Sequence, residues 1–257
     1  KVVESAVSGT AQWRKVIAWE RSRMLRRVAE VMRERTDDMA RWLSLELGKP
    51  LDQSKGEVGM AIEQFEWYAE EAKRIYGHVL ESRQPHGKVL IQHEPLGVVA
   101  AFTSWNFPVV LAARKIAPAL AAGCSVILRP AEEAPGSAMS LVQCLHEAGV
   151  PAGVINLING SADTISPVLL NESRVRKISL TGSARVGKLL IKASAETLKR
   201  TSMELGGHAP VIIYADADAE AIAEQAALVK FKHCGQVCAS PSRYFIHESQ
   251  AESFTNK

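Results

Sequence analysis

Apolar residues near the start of the chain recur at three- and four-residue steps. Trp13, Val16, Ile17, Met24, Val28 and Val31 line one helical face, and Arg and Glu fill the other. A second helical run stops at Gly48, with Pro50 two residues later. That pairing ends helices because glycine takes the left-handed cap and proline cannot continue the ladder. A third helix is predicted over residues 52–76, with Val58, Ile62, Phe65 and Ala72 inward and Gly77 closing it. The rhythm then changes. Residues 88–93 and 98–102 are short β-rich runs divided by Pro95 and Gly97. Beyond them strands are predicted at 125–128, 153–157, 176–180 and 210–214. Helices are predicted at 109–121, 135–148, 184–195 and 217–230, with another starting at Glu248. This alternation predicts an α/β fold: a doubly wound, Rossmann-like parallel sheet with helices on both faces, preceded by N-terminal helices. Such sheets bind ligands at the carboxyl ends of their strands, so the turns there are where chemistry is expected.

Composition narrows the class. Of 257 residues, 47% are hydrophobic and 23% charged, enough apolar material for a sizeable core. A net charge of +3 is too small to imply nucleic acid or an anionic membrane as partner. No apolar run approaches the roughly 20 residues that span a bilayer. The four cysteines form no disulfide framework and no paired Cys/His spacing suggests a metal, so a reducing, cytoplasmic setting is expected.

Four segments carry candidate chemistry. Cys238 sits in Cys-Gly-Gln-Val-Cys-Ala-Ser, where small neighbours leave room for a reactant, although a cysteine so flanked also serves as a packing residue. Glu204 lies in the strand-like Met-Glu-Leu-Gly-Gly of residues 203–207. It reads as a solvated charge at a strand end or, if buried beside apolar neighbours, as a carboxyl whose pKa rises toward that of a general base. Asn106, between Trp105 and Phe107 in Ser-Trp-Asn-Phe-Pro, directly follows a predicted strand. It reads as a turn residue, or as an amide aimed at a developing oxyanion. Leu-Thr-Gly-Ser-Ala-Arg-Val-Gly, residues 180–187, opens a helix with small residues, a natural phosphate site. Gly182 to Lys188 also fits most of a P-loop. Leu189 then stands where a Ser or Thr hydroxyl must ligate Mg²⁺, which argues against a nucleotide triphosphatase.

Taken together, these segments resemble the aldehyde dehydrogenase superfamily over essentially the whole chain. Ser104 to Pro108 resembles its oxyanion motif, with Ser104 where proline is usual. Residues 203–207 resemble its general-base motif, and Gly-Gln-Val-Cys its nucleophile motif. The 34-residue step from Glu204 to Cys238, and Lys115 nine residues after Asn106, fit as well. The resemblance implies a thiolate nucleophile at Cys238, Glu204 as general base, and Asn106 and Lys115 as further catalytic residues. It implies NAD held by Thr103, Ser104, Trp105, Arg129, Glu132, Gly160, Gly182, Ser183, Val186, Gly187, Leu205 and Gly206. A carboxylate at Glu132 favours NAD over NADP, whereas Arg129, where lysine is usual, keeps NADP open.

Because acylating members usually lack the Glu204 equivalent, a free carboxylic acid is the implied product. Arg114 and Lys232 stand where the family's succinic semialdehyde dehydrogenases carry arginines that grip a distal carboxylate. Lys232 keeps the charge but loses the bidentate fork. An acidic semialdehyde such as succinic semialdehyde is thus the expected substrate. A broad-specificity aldehyde dehydrogenase and an inactive nucleotide-binding fragment are the alternatives. The resemblance divides the chain into an NAD(P)-binding domain over 1–205, with a protruding arm near 78–95, and the start of a catalytic domain over 206–257. Family chains run to roughly twice this length. A piece truncated at both ends is therefore expected, inactive alone and forming a homodimer or homotetramer when whole.

Overall fold

The computed structural model describes residues 1–257. Four helices precede the first strand: α1 (Val2–Trp13), α2 (Ala18–Glu34), α3 (Thr36–Leu47) and α4 (Leu51–Glu71). The single apolar face expected over residues 13–31 is in fact shared by two helices. The chain turns at residues 14–17, where Ile17 is extended at φ −65°, ψ 155° and Arg21 Nη1 donates to the Val16 carbonyl at 2.7 Å. Apart from Ile17, which the corner leaves 61% exposed, the spacing carries across because α1 and α2 press on the same core. Trp13, 1% exposed, joins Leu25 and Val28 there and donates its indole N–H to the Leu120 carbonyl at 2.9 Å. Gly48 does close α3, at φ 64°. Helix α4 stops at Glu71, short of the expected Tyr76, and passes into a 3-10 turn over Ala72–Arg74.

Strands β1 (His78–Glu81) and β2 (Lys88–Ile91) pair antiparallel, and every residue of both is exposed. The main sheet has five strands in the order β5-β4-β3-β6-β7. These are β3 (Val98–Phe102), β4 (Ser125–Arg129), β5 (Ile155–Leu157), β6 (Val175–Gly182) and β7 (Arg200–Leu205). Strand β3 pairs parallel with both β4 and β6, and β4 with β5. The connecting helices are α5 (Pro108–Ala121), α6 (Pro135–Glu147), α7 (Ala162–Asn171) and α8 (Ala184–Ser194). Helix α7 has no counterpart in the periodicity, since Pro167 and a polar first turn interrupt its apolar pattern. Strands β3 and β4 are buried at every position, as parallel strands covered on both faces must be.

Contacts divide the chain into two compact units, Lys1–Glu204 and Leu205–Lys257. The first holds the core, with Phe65, Met32, Ile116, Leu120 and Leu128 all fully buried. Burying each such side chain is worth about 1.5–3 kcal/mol. In the second unit, β8 (Val211–Ile213) pairs parallel with β9 (Tyr244–Ile246), beside α9 (Ala219–Phe231) and α10 (Glu248–Asn256). No helix is long and apolar enough to cross a membrane.

Candidate active site

In register, Phe102 of β3 faces Arg129 of β4 on one side and Leu180 of β6 on the other. The carboxyl ends of these three strands are therefore level, and the chain order reverses between β3 and β6. In sheets of this kind that crevice is where ligands bind. The turns leaving the strands carry most of the residues singled out for cofactor binding: Thr103–Trp105 after β3, Arg129 and Glu132 at and beyond the end of β4, Gly160 after β5, and Gly182–Ser183 where β6 meets α8.

Each turn has a local cause. Ser183 caps α8, its Oγ accepting from Val186 N at 3.3 Å, and Gly187 N closes onto the Ser183 carbonyl at 2.9 Å. The leading amides of a helix so capped face outward from its N-terminus, where an anionic group is favoured. Gly160 takes φ +138°, open to glycine alone without strain. Arg129 is nearly buried. Its guanidinium pairs with the Glu132 carboxylate and donates to the Gly160 carbonyl at 2.8 Å. Glu132 Oε1 also accepts from Ala162 N at 3.1 Å. Arg129 and Glu132 thus tie the turns after β4 and β5 together. Glu132 lies in the turn before α6. Thr103 N donates to the Arg129 carbonyl at 3.3 Å, while the buried Thr103 Oγ1 has no partner. An orphaned hydroxyl, an exposed carboxylate and an outward-facing helix N-terminus along one crevice fit a dinucleotide.

Asn106 lies half-buried in the bend between β3 and α5. Helix α5 has no side-chain cap from Phe107. Instead Glu57, fully buried on α4, accepts from Val109 N at 3.0 Å and Val110 N at 3.3 Å through Oε1. Its other oxygen pairs with buried Lys49, whose Nζ donates to the Asn106 carbonyl at 3.1 Å and sits 4.0 Å from the Phe107 ring centroid. Burial pushes the Glu57 carboxyl up, against the opposing pull of Lys49 and the two amides. Neither Lys49 nor Glu57 was among the expected site residues. The signal was present, since Glu57 falls on the α4 stripe of Val58, Ala61, Ile62 and Phe65, where a carboxylate needs a reason.

One turn along α5, Arg114 is exposed and Lys115 half-buried. Lys115 Nζ donates to Ser179 Oγ on β6 at 3.2 Å. Burial draws the Lys115 ammonium down to about 8. Glu204 opposes that shift, and Lys177 and Arg114 add to it. Lys115 therefore lies within electrostatic reach of Glu204. The expected burial of Glu204 is not found. Strand β7 is the edge of the sheet, and Glu204 is exposed near its end. Most residues of β7 are open to solvent, so nothing covers the Glu204 side chain.

The second unit carries Leu205, Gly206, Lys232 and Cys238. Lys232 is exposed and opens a short turn, Lys232–Gly235, in which His233, Cys234 and Gly235 all have positive φ (48°, 55° and 75°). Ser240 N donates to the Val237 carbonyl at 3.0 Å across Cys238. Cys238 is exposed on this loop, and a Cβ at Gly207 would lie 3.8 Å from its carbonyl oxygen. Cys124 and Cys144 are buried, and burial pushes the Cys144 thiol up to about 11, as suits an inert packing residue.

The aldehyde dehydrogenase family model matches residues 1–257. The chain belongs to the aldehyde dehydrogenase family. Among its relatives, the glutarate-semialdehyde dehydrogenase of Pseudomonas putida is 43% identical over all of this chain and 54% of that protein. The 3-sulfolactaldehyde dehydrogenase of Pseudomonas putida is 46% identical over 95% of this chain and 50% of that protein. The crystal structure of succinate-semialdehyde dehydrogenase from Burkholderia pseudomallei superposes with a TM-score of 0.97. It is 41% identical over 99% of this chain and 53% of that one. This chain therefore spans about half the length of the relatives it matches. Solved relatives include an NADP-dependent enzyme and a complex with NAD+.

Proposed function

We propose that the complete protein is a non-acylating aldehyde dehydrogenase that oxidises an aldehyde bearing a distal anionic group to its carboxylic acid. The observation that carries this reading is the full-length family match. The chain it covers carries Asn106, Glu204 and Cys238 in the order of the motifs they resemble, and most of the proposed cofactor residues lie at the strand ends of one sheet. Cys238 as thiolate attacks the carbonyl carbon. An S–C bond forms, and the carbonyl π electrons move to oxygen, where the Asn106 amide and the Cys238 backbone N–H stabilise them. A bound nicotinamide dinucleotide supplies the hydride acceptor. The acyl group remains on Cys238 as a thioester. Glu204 takes a proton from water, which attacks the thioester carbon and expels the thiolate. We assign residues 1–205 to cofactor binding, with 206–257 starting the catalytic domain, and the exposed β1–β2 hairpin to subunit contact in a homodimer or homotetramer.

The cofactor choice favours NAD. We take Glu132 as the carboxylate that accepts from the adenosine ribose, and the Arg129 guanidinium that could answer a 2′-phosphate is already engaged by Glu132 and the Gly160 carbonyl. The distal anion is supported by the named relatives, whose substrates carry a carboxylate or a sulfonate, and by exposed Arg114 on α5, with Lys232 as its partial counterpart. The test is kinetic. The complete protein should prefer succinic or glutaric semialdehyde to a neutral aldehyde of similar length. Arg114→Ala should cost the anionic substrate about 2–4 kcal/mol in kcat/KM and leave the neutral one almost unchanged. Glu204→Gln should accumulate an acyl-enzyme visible by mass spectrometry. Equal Arg114→Ala losses on both aldehydes would remove the anion reading, and a Glu204→Gln enzyme that turns over normally would remove the general base.

A further inference from the structure

A buried lysine and a buried glutamate that touch the turn containing Asn106 play no part in the chemistry above. Lys49 follows the α3 cap and Glu57 lies in the second turn of α4, each under 2% exposed at the side chain. Burying an ion pair costs desolvation that mutual attraction often fails to recover, and well-packed apolar pairs do as well or better. Fold stability alone is thus a weak reason for two charges here. Their contacts suggest another. Lys49 Nζ holds the Asn106 carbonyl and lies over the Phe107 ring, while Glu57 holds the amides of Val109 and Val110. Phe102, at the other end of the same turn, is fixed in the sheet between β4 and β6. The turn is therefore clamped on both sides of Asn106, and the clamp on its far side is the ion pair. A carboxylate at the start of α5 is also favoured by the helix dipole.

We propose that the Lys49–Glu57 pair is a positioning device that holds Asn106 where its amide meets the developing oxyanion. This rests on the reading of Asn106 given above. Oxyanion stabilisation depends on sub-ångström placement of the donor, and a displacement of about 1 Å can cost on the order of 10²-fold in rate. A pair acting only through Asn106 must lose its effect once that amide is gone.

The experiment is a double-mutant cycle in the complete protein, with Lys49→Met, Asn106→Ala and the double variant assayed on the same aldehyde. Lys49→Met should lower kcat roughly 10- to 100-fold while changing the KM for the dinucleotide by less than about twofold. In the Asn106→Ala background, Lys49→Met should change kcat by less than about twofold. An equal loss in both backgrounds, or a wild-type kcat for Lys49→Met, overturns the inference while leaving the dehydrogenase reading intact. If Lys49→Met does not accumulate as folded protein, Glu57→Gln takes its place in the cycle. It keeps the carboxylate's shape and an acceptor for the two amides, and the same non-additivity is required. If neither variant folds, the pair serves stability and the inference fails. If the wild-type protein oxidises no aldehyde, or Asn106→Ala retains full kcat, the underlying reading falls and takes the inference with it.

Discussion

The two units of this chain handle their apolar residues in opposite ways. In Lys1–Glu204 the helices and the five-stranded sheet share a core in which Trp13, Phe65, Met32 and Leu128 are sealed from solvent. In Leu205–Lys257 the only buried hydrophobic residues are Ile213 and Ala219, while Phe231 is 73% exposed and Leu228 77%. The proposed cofactor residues lie almost entirely on the first unit and the proposed nucleophile on the second. A dinucleotide crevice needs strand ends held in register, and a dense core supplies that rigidity. The loop of Cys238 is instead fixed locally, by left-handed residues 233–235 and the hydrogen bond from Ser240 to Val237.

The largest expected effect separates chemistry from stability across this divide. In the complete protein, Cys238→Ala should bring aldehyde oxidation below detection, with dinucleotide affinity kept within about twofold. Persisting turnover would place the nucleophile elsewhere. Next comes a matched pair of truncations in the 257-residue chain. Phe65→Ala should cost about 3–5 kcal/mol, because it empties a fully buried site. Phe231→Ala should stay within about 0.5 kcal/mol, because that ring faces solvent. Urea unfolding followed by circular dichroism measures both, and similar losses would dissolve the contrast.

A finer probe is Gly9→Ala. A Cβ there would sit 2.2 Å from the Gly153 carbonyl group, backbone that cannot move aside, so a loss of about 1–3 kcal/mol is expected. A neutral result would mean that α1 shifts on the sheet more freely than its packing implies. The smallest effect concerns pH. Lys115 releases its proton near 8 in the folded chain but near 10.5 when unfolded. Between those values the unfolded chain holds the extra proton, so this group makes stability rise with pH there; below about 8 both states are charged and its contribution is flat. Lys115→Met should remove that rise. Urea midpoints at about pH 7.5 and about pH 9.5 test the sign, and an unchanged slope would show that Lys115 is not the group responsible.

Much of this was legible from residue order alone. The 3.6-residue stripes, Gly48 and the strand–helix alternation determined the α/β class, because helix and strand periods and glycine's left-handed backbone are local properties. The motif segments around Asn106, Glu204 and Cys238 were readable for the same reason: each is a short run whose chemistry lies in its residue types. Tertiary structure alone decided what those groups experience. Glu204 is exposed near the end of β7, whose residues are mostly open to solvent, an exposure that no spacing reveals. Arg129 is engaged by Glu132 and Gly160 because the ends of β4 and β5 lie side by side. The Lys49–Glu57 pair touches the Asn106 turn across about 50 residues of sequence. Burial and charge pairing depend on what the rest of the chain brings close, and only the packed fold specifies that.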